Sequence, residues 1–181
     1  MRLFVALDVS SNVRATLTEV VASLRPTCKA ARWVRLDGAH VTLKFIGEMP
    51  PEKVPDITTA LATVKFPGTF KLFFRDSGFF PSARRPSVLW AGVVACPELR
   101  ALAAAVENSL EPLGLAFERR EFSPHITLAR FKSAEALDGL HGWIAAAGPL
   151  EFGSVVADEF HLYQSISKPG GAEYTRLASF A

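Results

Sequence analysis

The sequence has 181 residues, of which 49% are hydrophobic and 21% are charged. This composition is typical of one globular unit with a sizeable core, and it excludes an intrinsically disordered chain, a collagen-like chain and a disulfide-rich miniprotein. Twenty Lys and Arg residues against eighteen Asp and Glu residues give a net charge of +2. A mildly basic chain permits an anionic substrate without demonstrating one.

Cysteine usage and hydropathy indicate the compartment. The two cysteines, Cys28 and Cys96, have no CxxC spacing and are interpreted as free thiols in a reducing environment. The apolar run at the N-terminus ends at Asp8, too soon for a signal peptide, and no window approaches 18 uninterrupted apolar residues. We therefore expect a cytoplasmic protein with no membrane partner, and we expect it to be a monomer.

Hydrophobic periodicity predicts alternating strands and helices in both halves of the chain. The elements predicted for the first half are a strand at 3–9, a helix capped by Ser10 and Ser11 and ended by Pro26, a strand at 40–46, a helix opened by residues 50–52 and a strand at 69–76. Those predicted for the second half are a strand at 87–95, a helix from Pro97, a strand at 125–131, a helix over 133–147, and closing strands at 150–163 and 173–180 around a Gly170-Gly171 turn.

One tetrad occurs in both halves. His40 begins His-Val-Thr-Leu and His125 begins His-Ile-Thr-Leu, 85 residues apart and close to half of the chain length. A single copy is typical of an ordinary half-buried strand, but two copies at this spacing indicate an internal duplication. The sequence therefore predicts an α+β fold with two similar lobes that share one interface, within a single domain over residues 1–181.

Strand geometry places the polar residues of each tetrad together. Side chains alternate between the faces of a strand, so His40 shares a face with Thr42, and His125 shares one with Thr127. Two imidazoles with pKa values near neutrality can serve as proton donor and proton acceptor in phosphodiester chemistry. The two Thr hydroxyls can donate to the non-bridging oxygens of a phosphate. This scheme needs no metal or other cofactor.

The segments HVTLKFIG and PHITLAR resemble the paired HxTx motifs of the two-histidine phosphoesterase superfamily. The wider context, RWVRLDGAHVTLKFIGE, SVLWAGV, FSPHITLAR and LYQSISKPGGAEY, is similar to the RNA 2′,3′-cyclic phosphodiesterase (LigT-like, 2′-5′ RNA ligase) family over essentially the whole chain. The resemblance implies a bilobal α+β fold in which two pseudo-symmetric lobes, each an antiparallel sheet flanked by helices, enclose an active cleft.

The same resemblance implies hydrolysis of a terminal RNA 2′,3′-cyclic phosphate to a 2′-phosphate, and in some members a reversible 2′-5′ ligation of RNA ends. It implies that His40 is the proton donor and His125 the proton acceptor. The residues alone do not assign these roles, because the two lobes are nearly equivalent. An RNA or nucleotide with a 2′,3′-cyclic phosphate end is the implied partner.

Further candidates lie beside the two motifs. Arg130 is interpreted as a phosphate contact, although ideal alternation would turn it away from His125 unless the strand bulges. Lys44 should share the face of His40, where it either lines the cleft or is solvated. Phe45 and Trp90 are interpreted as core residues.

Other residues carry weaker signals. Arg84 and Arg85 could contact an RNA backbone, but a solvated turn is the more common arrangement. Trp33 and Tyr163 could stack on bases. His141 and His161 head no tetrad, and Asp158 and Glu159 near His161 do not complete a metal site.

Two alternatives to this function stay open. One is a phosphodiesterase of the same superfamily that acts on a small cyclic nucleotide or a 2′-5′ oligonucleotide. The other is a non-catalytic nucleotide- or RNA-binding module on the same scaffold.

Overall fold

The computed structural model describes residues 1–132, 137–169 and 171–181. The strands in this part of the chain are β1 Arg2–Asp8, β2 Arg32–Trp33, β3 His40–Glu48, β4 Phe70–Phe80, β5 Val88–Val93, β6 His125–Arg130, β7 Glu151–Ala157, β8 Phe160–Lys168 and β9 Gly171–Phe180. The α-helices are α1 Ser11–Leu24, α2 Val54–Leu61, α3 Pro97–Leu110 and α4 Asp138–Ala147.

The strands form two antiparallel sheets. Sheet A has the order β3-β1-β8-β9, and sheet B has the order β2-β6-β5-β4-β7. Each motif histidine begins a strand, with β3 at one edge of sheet A and β6 second from the edge of sheet B. The α+β prediction with two antiparallel lobes is confirmed.

Each sheet buries one face and presents the other to a cleft. In β1, Leu3, Val5 and Leu7 belong to the main hydrophobic core, whereas Phe4 and Ala6 point to the opposite face. The main core is continuous from one sheet to the other and includes the buried faces of the helices. The two sheets are therefore held together by one shared interior.

The long helices begin where the sequence provides a start signal. The Ser10 side chain accepts a hydrogen bond from the backbone N–H of Val13 and caps α1. Pro97 occupies the first position of α3, where its missing N–H leaves no hydrogen bond unmade. Both helices bury one apolar stripe against the sheets.

Three elements differ from the prediction. Residues 150–163 form two strands rather than one, because the chain leaves sheet B after Ala157 and enters sheet A at Phe160. Strand β4 continues to Phe80, beyond the predicted end at residue 76, because Ser77 to Phe80 pair with β5. Helix α4 begins at Asp138; the predicted positions 133–136 and Gly170 of the predicted turn lie outside the described residues.

Both cysteines are free thiols, with Cys28 buried and Cys96 half-buried. Among the described residues, we find no helix that combines the length and the apolar character needed to cross a membrane.

Candidate active site

Both motif strands contain a β-bulge at the same point. The pairing of β3 with β1 skips one residue between Thr42 and Lys44, and the pairing of β6 with β5 skips one between Thr127 and Ala129. In each case two consecutive residues after the Thr are buried, and the burial patterns of the first six residues of the two strands are identical. The similarity of the two motif strands therefore extends to an irregularity that interrupts simple alternation.

The bulge changes which residues face the cleft. Because of the bulge, Arg130 lies on the same face of β6 as His125, opposite Val88 of β5. The predicted phosphate contact of Arg130 requires such a bulge. The placements of Lys44 and Phe45 by simple alternation are wrong. Lys44 is 5% exposed and its Nζ lies 2.5 Å from Oε1 of Glu107, whereas Phe45 is 51% exposed.

The two histidine rings are held in the same way. Nδ1 of His40 lies 2.8 Å from the carbonyl oxygen of Gly38, and Nδ1 of His125 lies 2.9 Å from that of Ser123. A carbonyl oxygen only accepts hydrogen bonds, so Nδ1 carries the proton in both rings. Nε2 is therefore the atom that gains and loses a proton on each histidine.

The fold brings the two motifs together. Strands β3 and β6 approach within 8 Å between Cα atoms. Burial lowers the pKa of His40, and the charge of His125 lowers it further. Burial raises the pKa of Tyr174 in sheet A, and Arg130 of sheet B opposes that rise. Groups from opposite sheets thus act on one another across the cleft.

Thr42 and Thr127 lie on the cleft face with the two rings. Thr42 is opposite Ala6, and Thr127 is opposite Trp90. Both residues are half-buried, and across residues 1–132, 137–169 and 171–181 we find no protein group bonded to either hydroxyl. Their hydroxyls can therefore donate to a ligand.

Burial lowers the pKa of both histidines below the ordinary value, because removal from water disfavours the charged ring. The smaller effects differ between the two sites. The carboxylate of Asp8 acts to raise the pKa of His40, whereas the Arg130 guanidinium lowers that of His125 further. The neighbouring charges of Asp8 and Arg130 thus act in opposite directions, because Asp8 favours the protonated form of His40 and Arg130 disfavours that of His125.

Known proteins are similar to this chain over almost its whole length. The profile of the LigT like Phosphoesterase family matches residues 7–90 and 93–174. The chain belongs to the LigT-like phosphoesterase family.

Relatives named RNA 2′,3′-cyclic phosphodiesterase include one from Archaeoglobus fulgidus, 34% identical with 99% of each chain covered. One from Thermus thermophilus is 34% identical, with 100% of this chain and 90% of the relative covered.

Solved structures show the same fold. A protein from Thermus thermophilus superposes with a TM-score of 0.80 at 31% identity, covering 99% of this chain and 97% of its own. Escherichia coli LigT complexed with 3′-AMP has a TM-score of 0.80 at 30% identity, covering 98% and 95%. The resemblance predicted from the paired motifs is confirmed at the level of the family.

In this LigT-like phosphoesterase, Asp8 is the residue opposite His40 in the sheet. Its carboxylate accepts a hydrogen bond from the Tyr163 hydroxyl at 2.5 Å and one from the Arg176 guanidinium. Nε2 of His161 lies 3.7 Å from the same carboxylate. The carboxylate is therefore held in place beside His40 by groups from β8 and β9.

The corresponding residue opposite His125 is Gly92. A Cβ there would lie 2.6 Å from the carbonyl oxygen of Arg75, so the close approach of β4 excludes any side chain. A cavity of about 480 Å³ opens at this position, lined in part by His125, Gly92 and Trp90. The phosphoesterase site therefore has a carboxylate beside one histidine and open space beside the other.

Aromatic rings flank both histidines of the LigT-like site. Phe4 and Tyr174 pack against His40 with centroid distances of 4.5 and 4.9 Å, and Phe80 packs edge-on against His125 at 5.0 Å. Trp90 is half-buried on the cleft face opposite Thr127. Its interpretation as a core residue is therefore wrong.

Sequence analysis missed Asp8 and Gly92 because neither lies in a motif, and only strand register brings them opposite the histidines. Tyr163, a stacking candidate, is buried beneath the cleft and stacks on Phe4. Among the described residues there is no group of three or more His, Cys, Asp or Glu side chains arranged to hold a metal ion.

Proposed function

We propose that this chain hydrolyses the terminal 2′,3′-cyclic phosphate of RNA to a 2′-phosphate by acid–base catalysis between His40 and His125, without a metal. The observation that carries the proposal is the meeting of two His–Thr pairs at one cleft, each with its imidazole Nδ1 bonded to a backbone carbonyl. The curated relatives named RNA 2′,3′-cyclic phosphodiesterase support the same substrate class.

In the proposed reaction, Nε2 of His125 takes a proton from water as the water oxygen attacks phosphorus. The bond between phosphorus and O3′ breaks on the opposite side, and Nε2 of His40 gives its proton to O3′. The product carries a 2′-phosphate and a free 3′-hydroxyl. Proton transfer through solvent then restores the starting forms of both rings.

The opposite charges beside the two histidines support His40 as the proton donor and His125 as the proton acceptor. A proton donor must be charged before reaction, and the Asp8 carboxylate favours the charged form of His40. A proton acceptor must be neutral, and Arg130 favours the neutral form of His125. This physical argument agrees with the assignment that the family resemblance implies.

The phosphate would be held by Thr42, Thr127 and Arg130. The two hydroxyls donate to the non-bridging oxygens, and Arg130 adds a positive charge on the same face. Since O3′ lies beside His40 in this arrangement, the terminal nucleoside lies along β3. The exposed ring of Phe45 lies on that side of the cleft and offers a surface on which the terminal base can stack.

The proposed catalytic unit is one domain over residues 1–181, since both sheets share one core. One chain supplies both motifs, so a monomer is sufficient for the site. Escherichia coli LigT has been crystallised with 3′-AMP, which supports a nucleotide as the ligand of this chain. Replacement of the attacking water by a 5′-hydroxyl would give the 2′-5′ ligation that some members of the family catalyse.

The test is to incubate the purified protein with an RNA ending in a 2′,3′-cyclic phosphate and to identify the product isomer. We expect a 2′-phosphate, formed equally well in EDTA. His40→Ala and His125→Ala should each lower kcat by about 100-fold or more, whereas His141→Ala, outside the cleft on α4, should retain activity.

Other results would contradict the proposal. Loss of activity in EDTA with recovery on adding zinc would indicate metal catalysis. Faster turnover of a small cyclic nucleotide or a 2′-5′ oligonucleotide would indicate another substrate, and saturable binding without turnover would indicate a binding module.

A further inference from the structure

Two arginines lie directly opposite each other on the cleft side of sheet B. Arg32 of β2 pairs in register with Arg130 of β6, and both side chains are exposed. The adjacent pair consists of Trp33, which packs against the hydrophobic core, and the buried Ala129. Because side chains alternate along a strand, Arg32 points away from the core and shares the cleft face with Arg130. Like charges in this arrangement, with Cβ atoms about 4.5–5.5 Å apart, destabilise a sheet unless an anion neutralises them.

Further positive charge surrounds the end of β6. The loop over residues 81–87 joins β4 to β5, and the N–H of Phe131 donates to the carbonyl oxygen of Ser87 at 3.0 Å, so this loop meets the chain just after Arg130. We define the basic rim as five exposed residues around this point: Arg32, Arg84, Arg85, Arg130 and Lys132. Within residues 1–132, 137–169 and 171–181, no carboxylate oxygen lies within 4 Å of a side-chain nitrogen of the basic rim.

The opposite end of β6 has no such excess of positive charge. The cavity beside His125 is lined by Arg75 and Arg100 and equally by Asp76 and Glu121. Balanced charges give an anionic polymer no preferred path, whereas a group of cations without acidic partners attracts one. The charge distribution therefore favours the basic rim as the place where an RNA chain leaves the cleft.

The basic rim also lies at the His40 end of the cleft. Tyr174 packs against His40 with a centroid distance of 4.9 Å. Burial raises the pKa of Tyr174, and the positive charge of Arg130 opposes that rise, so the guanidinium acts on a ring that contacts His40. In the proposed reaction O3′ lies beside His40. The base leaves the ribose at C1′ and the chain leaves it at C4′, on the other side of the ring oxygen, so a base along β3 leaves the 5′ side free to reach the basic rim.

We infer that Arg32 binds the phosphodiester group on the 5′ side of the terminal nucleotide and that the RNA chain leaves the cleft over the basic rim. The inference rests on the proposed function, in which Arg130 holds the cyclic phosphate itself. A guanidinium donates two parallel hydrogen bonds to a phosphate group, and a cyclic mononucleotide with a free 5′-hydroxyl has no phosphate at this position. Arg32 is therefore a specificity-determining residue that selects an RNA end over a small cyclic nucleotide.

The experiment compares two substrates of the purified full chain: adenosine 2′,3′-cyclic phosphate, and the dinucleotide in which a phosphodiester joins a second adenosine to its 5′ oxygen. We expect kcat/KM to be about tenfold or more higher for the dinucleotide, because a charged hydrogen-bonded contact is added. A dinucleotide with an uncharged methylphosphonate linkage keeps both bases and should lose this advantage. Equal kcat/KM for the mononucleotide and the dinucleotide, or for the two linkages, would overturn the inference.

The variant Arg32→Gln tests the residue. It should bring the ratio of kcat/KM for the dinucleotide to that for the mononucleotide close to one. Lys65→Gln removes an exposed positive charge from the loop between α2 and β4 and is the matched control, which should keep the wild-type ratio. A wild-type ratio in Arg32→Gln would overturn the assignment of the phosphodiester to Arg32.

The loop of the basic rim is tested with a longer substrate. Arg84→Gln/Arg85→Gln should lower kcat/KM for a longer RNA 2′,3′-cyclic phosphate relative to that for the dinucleotide, because two contacts to the chain are lost. An unchanged ratio would overturn the path of the RNA over this loop.

Two further outcomes have defined meanings. If Arg32→Gln does not fold, the comparison of the two linkages on the wild-type chain decides the inference by itself. If the wild-type chain hydrolyses neither substrate, the proposed function fails, and this result is distinct from hydrolysis of both substrates with equal kcat/KM, which refutes the inference alone.

Discussion

At the scale of single residues, the two histidines differ in the groups around them rather than in their own geometry. Both side chains are half-buried, both donate Nδ1–H to a carbonyl two residues earlier, and both residues begin the same tetrad. Only the neighbours differ: Asp8 acts on His40, and Arg130 acts on His125. The direction of proton transfer in the proposed mechanism therefore depends on two residues that are not themselves proton carriers.

The variant Asp8→Asn tests the effect of the Asp8 carboxylate on His40. The Asp8 carboxylate opposes the lowering of the His40 pKa by burial, so its removal should lower that pKa further. Because the donor must be protonated, the decline of kcat/KM with rising pH should begin at a lower pH than in the wild type. Glu159→Gln removes a carboxylate that lies 3.8 Å from His161 and should leave the profile in place. An identical profile for Asp8→Asn would remove Asp8 from the assignment of roles.

The variant Arg130→Gln tests the effect of the Arg130 guanidinium on His125. We expect kcat/KM to fall by about tenfold or more, because a charged donor to the phosphate is lost. Arg130 adds to the lowering of the His125 pKa by burial, so that pKa should rise in the variant. Because the acceptor must be neutral, the acidic limb of the profile should move to higher pH. Arg130→Lys restores the positive charge and should return the acidic limb of the kcat/KM profile toward its wild-type position. If kcat/KM falls in Arg130→Gln but the acidic limb does not move, Arg130 binds the phosphate without affecting the pKa of His125.

At the scale of elements, the bulge in β3 attaches the motif strand to a helix. It turns Lys44 inward, where Nζ lies 2.5 Å from both Oε1 of Glu107 on α3 and the carbonyl oxygen of Ala116. The side chains of Lys44 and Glu107 are only 5% and 13% exposed. If either Lys44 or Glu107 is replaced by an uncharged residue, the charge of the other is left buried without its partner.

Lys44→Met should therefore lower the free energy of unfolding by about 3 kcal/mol, measured by urea denaturation. The double variant Lys44→Met/Glu107→Leu should recover most of the loss, because neither charge remains buried. Lys53→Met removes the lysine of an exposed pair with Asp56 and should change stability by less than about 1 kcal/mol. Equal losses in Lys44→Met and Lys53→Met would show that burial of the pair is unimportant.

The sequence predicts the faces of the site residues correctly up to the two bulges and not beyond them. Repetition of the tetrad and two-residue alternation were sufficient to place His40, Thr42, His125 and Thr127 on cleft faces. Alternation then failed at Lys44 and Phe45, since a bulge adds one residue and leaves no mark in the pattern of apolar residues. Asp8 and Gly92 lie 32 and 33 residues before the histidines they oppose, and only the pairing of strands reveals them.

At the scale of the whole molecule, both histidines are partly buried between the two sheets, and this predicts the pH at which kcat/KM is maximal. Burial lowers the pKa of each ring below its ordinary value of about 6.5. The active form has one ring protonated and the other neutral, so kcat/KM for the cyclic phosphate should be maximal midway between two lowered values, below about pH 6.5. A maximum of kcat/KM above pH 7 would contradict the assigned environments.

The order of strands in sheet A has a consequence for biosynthesis. Strand β1 lies between β3 and β8, so a nascent chain has one side of β1 unpaired until residues 160–168 have emerged from the ribosome. Strands β4, β5 and β6 are consecutive along the chain and adjacent in sheet B, so they can pair once residue 130 has emerged. The half of the cleft that contains His40 is thus completed last, and until then its open edge is the part of the newborn polypeptide most in need of protection from aggregation.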